Sequence, residues 1–135
     1  CEGVRLVPVM DAQKGNVYAQ EFTWRADGDA LTLHEESSLA ILPLTEVIAG
    51  LSKTEQPVLL LGDAMQRKVD VELPVNVRLA PIHARMPRAA CVGLAALTRL
   101  ARGETDDPVT AVPLYLRRSE AEVLWEKRHG TEGAQ

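Results

Sequence analysis

From Val4 to His34 the chain is written with a period of two. Val4, Leu6, Pro8 and Met10 point one way and Val7 and Val9 the other. A run that is apolar on both faces predicts a strand in the middle of a sheet. Pro8 has no amide hydrogen to donate to a ladder, so a bulge or a segment unpaired on one side is expected there. After the break Asp11-Ala-Gln-Lys-Gly15, alternation resumes from Val17 to Arg25, with Tyr18, Phe22 and Trp24 on one face and Val17, Ala19 and Thr23 on the other. Ala26-Asp-Gly-Asp29 is a turn signature. Leu31 and Leu33 then share a face of a third strand, with Thr32 and His34 opposite. Three strands joined by two short reversals predict an antiparallel meander.

The period then changes. Leu44, Val47, Ile48 and Leu51 fall at i, i+3, i+4 and i+7, with Pro43 at the start and Gly50 near the end, which predicts a short helix. Val58–Leu61 is a bare apolar run ending at Gly62-Asp63, the pattern of a strand covered on both faces. Val69 to Leu73 fits no one template, and Val75–Leu79 fits a short strand. Met86–Arg102 predicts the longest helix. Cys91, Leu94, Ala95, Thr98 and Ala101 form its stripe, Leu97 and Leu100 widen it, and Gly103 stops it. Cys91 is expected to be buried there as a small hydrophobe. Asp106-Asp-Pro108 marks a loop, Leu114–Arg117 a short extended piece, and Ser119 a cap for a last helical turn. Residues 129–135 are expected to fray.

The predicted order places a helix between the third and fourth strands. A right-handed crossover would set the fourth strand parallel to the first. A meander followed by crossover helices is the ribonuclease-H-like plan of the actin, Hsp70 and sugar-kinase superfamily, one of several α/β mixed sheets compatible with the pattern. With 135 residues, 46% of them apolar, the chain can bury one core, and residues 1–128 are expected to form a single lobe. A net charge of −4 argues against strong direct binding to nucleic acid. The arginines at 78, 85, 88, 99 and 102 are expected on a solvated face. No apolar run is long enough for a membrane helix.

Three chemistries compete for the Asp11–Gly15 corner. A phosphate loop would need more glycines than Gly15 and does not match the Walker pattern. A metal-dependent phosphodiesterase of ribonuclease-H-like type would draw Asp11, Glu46 and Asp63 around its cations. A plain turn needs only Asp11 as a local acceptor, Gly15 in a left-handed conformation and Lys14 in solvent. The residues favour the turn. His34, His83 and His129 are scattered without zinc spacing, and no Gly-x-Ser-x-Gly elbow occurs. Trp24 is expected to pack in the sheet, and Trp125 to dock on the domain or on a partner.

Val9-Met-Asp-Ala-Gln-Lys-Gly-Asn-Val-Tyr18 resembles the Asp-Ala-Arg-x-Gly-Glu-Val-Tyr hairpin of the bacterial TsaB (YeaZ) family. Leu60-Leu-Gly-Asp63 is similar to the segment that closes a later strand in that family, and Val112-Pro-Leu-Tyr-Leu-Arg117 to its Pro-x-Tyr-Leu-Arg ending. The motif residues are thus Asp11, Ala12, Gly15, Val17 and Tyr18 in the hairpin, expected to be structural, and Pro113, Tyr115, Leu116 and Arg117 near the end, expected to be structural or interfacial. Gln13 and Asn16 stand where the family usually carries Arg and Glu, and Ala64 where it often has a second glycine. The resemblance implies the C-terminal lobe of a two-lobed protein whose N-terminal lobe is absent here. It further implies a cytoplasmic, non-catalytic scaffold without a cofactor, in the machinery that attaches threonylcarbamoyl to tRNA. Through the full-length protein it implies pairing with a TsaD-like ATP-binding subunit and a TsaE-like ATPase, and exposure of a lobe surface implies homodimers. An older glycoprotease description of such proteins finds no peptidase constellation in these residues.

Overall fold

The computed structural model describes residues 3–28, 30–67, 72–114, 116 and 125. The chain divides into two compact units, Cys1–Thr105 and Asp106–Gln135. The first begins with β1 (Arg5–Asp11), β2 (Asn16–Ala19), β3 (Phe22–Asp27), β4 (Ala30–Glu35) and β5 (Ala40–Pro43). There follow α1 (Leu44–Leu51), β6 (Val58–Leu61), α2 (Ala64–Arg67), β7 (Val77–Leu79), a short 3-10 turn (Ile82–Ala84) and α3 (Ala89–Ala101). No helix among the described residues is long and apolar enough to cross a membrane.

The predicted meander is present, but each of its later strands is split. β2 and β3 both run antiparallel to β1 in one continuous register, with Val9 opposite Ala19 and Leu6 opposite Phe22. The gap between them, Gln20-Glu21, therefore lies across from Val7 and Pro8. Pro8 lacks the amide hydrogen that the ladder needs at that point, so the expected one-sided interruption is found. Its other side is paired, with Pro8 opposite Leu61 of β6. The third meander strand is likewise two pieces: β4 pairs β3, and β5 pairs β2. β5 went unread in the sequence because Ala40-Ile-Leu-Pro43 is too short to show a period of its own.

β6 pairs parallel to β1, and β7 parallel to β6. α1 and α2 form the intervening connections. α1 buries Leu44, Val47, Ile48 and Leu51, the four positions its spacing predicts. These pack with Val7, Val9, Val17, Ala19, Val58, Leu60, Ala64, Met65 and Val77 in one core. The strand members of that core all belong to one face of the sheet. α2 escaped the sequence reading because four residues cannot express a helical period.

The other face is different. Residues that pair across a register share a face. Leu6 and Met10 of β1, Tyr18 of β2, Phe22 and Trp24 of β3, Leu31 and Leu33 of β4, and Leu59 and Leu61 of β6 thus lie together on the second face. None is buried, and Met10, Leu31 and Leu33 are 49, 57 and 47% exposed. Trp24 is half-buried on this face instead of enclosed.

α3 departs from expectation. It starts at Ala89, not Met86, because Arg88 is extended (φ −114°, ψ 130°). Gly103 ends it at φ +74° as predicted. Yet no residue of α3 is buried, and its stripe faces solvent. Cys91 is accordingly exposed, contrary to its expected place in a core. Asn76, just before β7, does work that the sequence does not announce. Its side-chain amide donates to the carbonyls of Leu51 (3.0 Å) and Thr54 (2.9 Å), which fixes the loop between α1 and β6.

In the second unit, Asp107 organises the loop predicted there. Its carboxylate accepts from the Val109 amide at 2.9 Å and its carbonyl from the Ala111 amide at 2.8 Å. Val69 to Val71, Tyr115, Arg117, Ser119 and the tail from 129 lie outside the described residues.

Two predictions follow from this packing. Gly62 has φ +109°, and a Cβ there would sit 2.0 Å from the Val9 carbonyl oxygen. Gly62→Ala should cost more than about 4 kcal/mol in urea unfolding, or abolish a cooperative transition, since backbone blocks the new atom on both counts. A loss below about 1 kcal/mol would contradict the close approach. Glu36 accepts from the Thr23 hydroxyl and from Arg25, and these bonds hold its carboxyl below the ordinary glutamate range. Because the folded-state pKa is depressed, the stabilisation is complete above the unfolded-state value and is lost as pH falls through the folded one. Nuclear magnetic resonance titration should find this carboxyl below its unfolded-state midpoint. Glu36→Gln should remove that step from the acid limb of the stability profile.

Candidate functional site

Open α/β sheets place their chemistry beyond the carboxyl ends of parallel strands. Here that region lies where β1 ends at Asp11 and β6 runs into Gly62-Asp63. Gly62 allows the two strand ends to touch, because no side chain separates its backbone from the Val9 carbonyl. Asp63 then reaches back to the hairpin, and its Oδ1 accepts from the Asp11 amide at 3.2 Å.

The hairpin corner is closed by its own atoms. The Gln13 amide donates to Asp11 Oδ1 at 2.9 Å, the local acceptor role expected of Asp11. The Ala12 amide donates to the Asn16 carbonyl, and the Asn16 amide to the Gln13 carbonyl, each at 3.0 Å. Ala12 is buried beneath the corner. Lys14 is exposed, as expected. The left-handed conformation expected at Gly15 (φ +85°) extends back through Lys14 (φ 52°) and Gln13 (φ 63°). Behind the corner, the Leu44 amide donates to the Gly15 carbonyl at 3.3 Å and ties the hairpin to the start of α1.

This geometry bears on each reading of the corner. A phosphate nest presents several backbone amides to one concavity. The amides of Asp11, Ala12, Gln13 and Asn16 already donate to protein oxygens. An incoming phosphate would also meet the carboxylate of Asp63, which holds the Asp11 amide. The metal-dependent reading needs three carboxylates at one point. Asp11 and Asp63 are neighbours, but Glu46 lies on α1 and lines a cavity of about 200 Å³ with Val7, Ser37, Ser38 and Gly50. Among the described residues, no three His, Cys, Asp or Glu side chains gather closely enough to hold a metal ion. Asp11, Glu46 and Asp63 therefore do not form the cluster that this alternative requires.

Of the other motif residues, Val17 is wholly buried in the core, and Tyr18 is half-buried on the open face. Pro113 is exposed and Leu116 is 39% exposed, while Tyr115 and Arg117 lie outside the described residues. His34 contacts the Thr32 hydroxyl at 2.9 Å on the exposed ribbon, and the carbonyl of His83 accepts from Arg88 at 2.8 Å. The contribution of Gly62 goes beyond what the sequence pattern states. Its signal was a glycine directly after a bare apolar run, which marks a close backbone approach.

No protein-family profile matches the chain, and no curated protein matches it. Solved structures do. YeaZ from Pseudomonas aeruginosa is 20% identical, with a TM-score of 0.57, over 82% of this chain and 49% of that one. An uncharacterized protein with similarity to peptidase YeaZ from Pseudomonas aeruginosa is 23% identical, with a TM-score of 0.56, over 84% of this chain and 49% of that one. The chain thus spans about half the length of these neighbours. At such identities the likeness establishes the fold: an α/β arrangement similar to that of YeaZ, built on a mostly antiparallel sheet.

Proposed function

We propose that this chain is a ribonuclease-H-like lobe of TsaB (YeaZ) type, acting as a non-catalytic scaffold in tRNA threonylcarbamoyl modification. The reading assigns the chain to the C-terminal lobe of the two-lobed family and places it in the cytoplasm with its tRNA-modifying partners. Two independent lines support it: the hairpin and Tyr-Leu-Arg motifs in family order, and the likeness of fold to YeaZ. The observation that carries the non-catalytic part is the bond from the Asp11 amide to Asp63. A protein carboxylate already accepts from that amide, which favours an architectural corner over a phosphate-binding one. The peptidase wording belongs to the description of one structural neighbour, and nothing at this corner supplies a nucleophile with a paired base. In this reading the lobe meets the TsaD-like ATP-binding subunit and the TsaE-like ATPase only as part of the full two-lobed protein.

Calorimetry with magnesium and ATP should give no binding heat up to millimolar nucleotide, and RNA should remain uncleaved with magnesium or manganese. Binding in the micromolar range, weakened by an added Lys14→Ala change at the corner, would overturn the non-catalytic reading. A chimera joining the first half of Pseudomonas aeruginosa YeaZ to this chain should co-elute with the TsaD-like subunit and support tRNA modification in cells lacking their own TsaB. A soluble, folded chimera that does neither would overturn the assignment to the complex.

Asp63→Ala supplies a further check. It should cost about 1–3 kcal/mol, because the Asp11 amide loses its acceptor. It should not create nucleotide affinity.

A further inference from the structure

The sheet leaves a hollow where its meander strands divide. Gln20-Glu21 separates β2 from β3, and residues 36–39 separate β4 from β5. The two breaks lie side by side, since Ala19 pairs Ala40 before them and Phe22 pairs Glu35 after them. Between this double break and α1 is the cavity of about 200 Å³ that Glu46 lines. Val7, Ala19 and Val47 form its apolar part, and all three are buried. Ala40 faces the same way as its ladder partner Ala19. Gly50 closes the list of small residues around it. Glycine is disfavoured within a helix, and a Cβ at Gly50 would meet no atom within 4 Å. Packing therefore does not demand a glycine there, and the space beside it is open. Protein interiors otherwise keep few voids larger than a water molecule.

Charge narrows what could enter. The charged residues of the lining are Glu21 and Glu46, with no lysine or arginine beside them. The Glu21 carboxylate already accepts from Arg5. Glu46 has no hydrogen-bond or ion-pair partner among the described residues, and neither has the Ser38 hydroxyl. An anion would meet an uncompensated carboxylate. A divalent metal ion needs several oxygen ligands, and no three acidic side chains gather among the described residues. A monovalent organic cation meets neither objection. An apolar surface beside the carboxylate lowers the local dielectric and strengthens such a pair. Size sets the second limit. A cavity of about 150 Å³ takes up benzene, so this one has room for a short alkyl tail and one polar end.

We propose that this cavity binds a small primary ammonium carrying a short alkyl tail. The ammonium donates to the Glu46 carboxylate and to the Ser38 hydroxyl oxygen, and the tail lies against Val7, Ala19 and Val47. The site selects for a cation at one end and against a second, negative end, because the lining offers nothing to neutralise a carboxylate. A free amine is therefore accepted where the amino acid of the same side chain is refused. The inference does not rest on the proposed part in tRNA modification.

The test is made on the isotope-labelled 135-residue chain, titrated at constant ionic strength and followed by nuclear magnetic resonance. With isoamylamine, the amides of Gln20, Ser38, Val47 and Gly50 should shift together and saturate, with a dissociation constant in the millimolar range expected of so small a ligand. Isoamyl alcohol and leucine, which share the tail but lack the lone cationic end, should bind at least fivefold more weakly. Glu46→Gln should raise the amine's dissociation constant fivefold or more, and Ala40→Leu, which fills the cavity, tenfold or more. Glu46 is exposed and Ala40 lies outside the buried core, so both variants should keep the wild-type circular dichroism. Shifts that do not saturate would overturn the proposal, and so would binding indifferent to both substitutions. Alcohol or leucine bound as well as the amine would overturn the assigned class. If Ala40→Leu fails to fold, Glu46→Gln and the alcohol comparison still decide the question. Failure here leaves the calorimetry and chimera results untouched.

Discussion

The structure depends on β1 being paired on both sides. Along one edge it carries the antiparallel β2–β3 strand, along the other the parallel β6, and its inward residues Val7 and Val9 are completely buried. Such a strand must satisfy amides and carbonyls on both edges, which is why a proline in its middle has consequences. Pro8 has a carbonyl to offer but no amide hydrogen. The ladder to the meander opens there, while the parallel side remains in register. One residue thus explains why a single meander strand is divided into β2 and β3. The division also leaves room for Glu21, whose carboxylate accepts from Arg5 across the opened gap.

How much of this was legible depended on whether an element is long enough to state its own period. β1, the β2–β3 strand, β4, α1 and β6 are long or strongly patterned, and the sequence shows them. α1 is the clearest case, since its four buried positions are those that a 3.6-residue repeat demands. β5 and α2 hold four residues each, with neither the bare apolar run of β6 nor a full helical repeat to mark them, and exist because neighbours pair or cover them. α3 shows the opposite failure. Its apolar pattern is real and its helix forms, but a pattern reports a wish for burial and cannot report whether a partner surface is at hand. Cys91 was placed in a core by that wish and is found in solvent.

The corner illustrates a different limit. Asp11, Gly15 and Asp63 were each visible as residues with chemical potential, and the turn was read as a turn. The sequence could not show that Asp63 answers the amide of Asp11, because the bond joins positions fifty-two apart. It becomes possible only when Gly62 lets β6 approach the Val9 carbonyl. The three facts form one device. A glycine without a side chain brings two strand ends together, the next residue supplies a carboxylate, and that carboxylate consumes an amide of the corner. The protein thus supplies the acceptor for that amide from its own chain.

The two faces of the sheet that carries this corner differ in what covers them. A sheet with both faces apolar can bury only one of them against two short helices, and this chain spends α1 and α2 on the face that contains Val7 and Val9. The remaining face keeps Phe22, Trp24, Leu31 and Leu33 in partial contact with water, at a cost of about 25 cal/mol for each Å² left uncovered. Apolar side chains gathered on one face in this way are costly to leave in water, and that cost is the driving force for any surface that comes to lie on them.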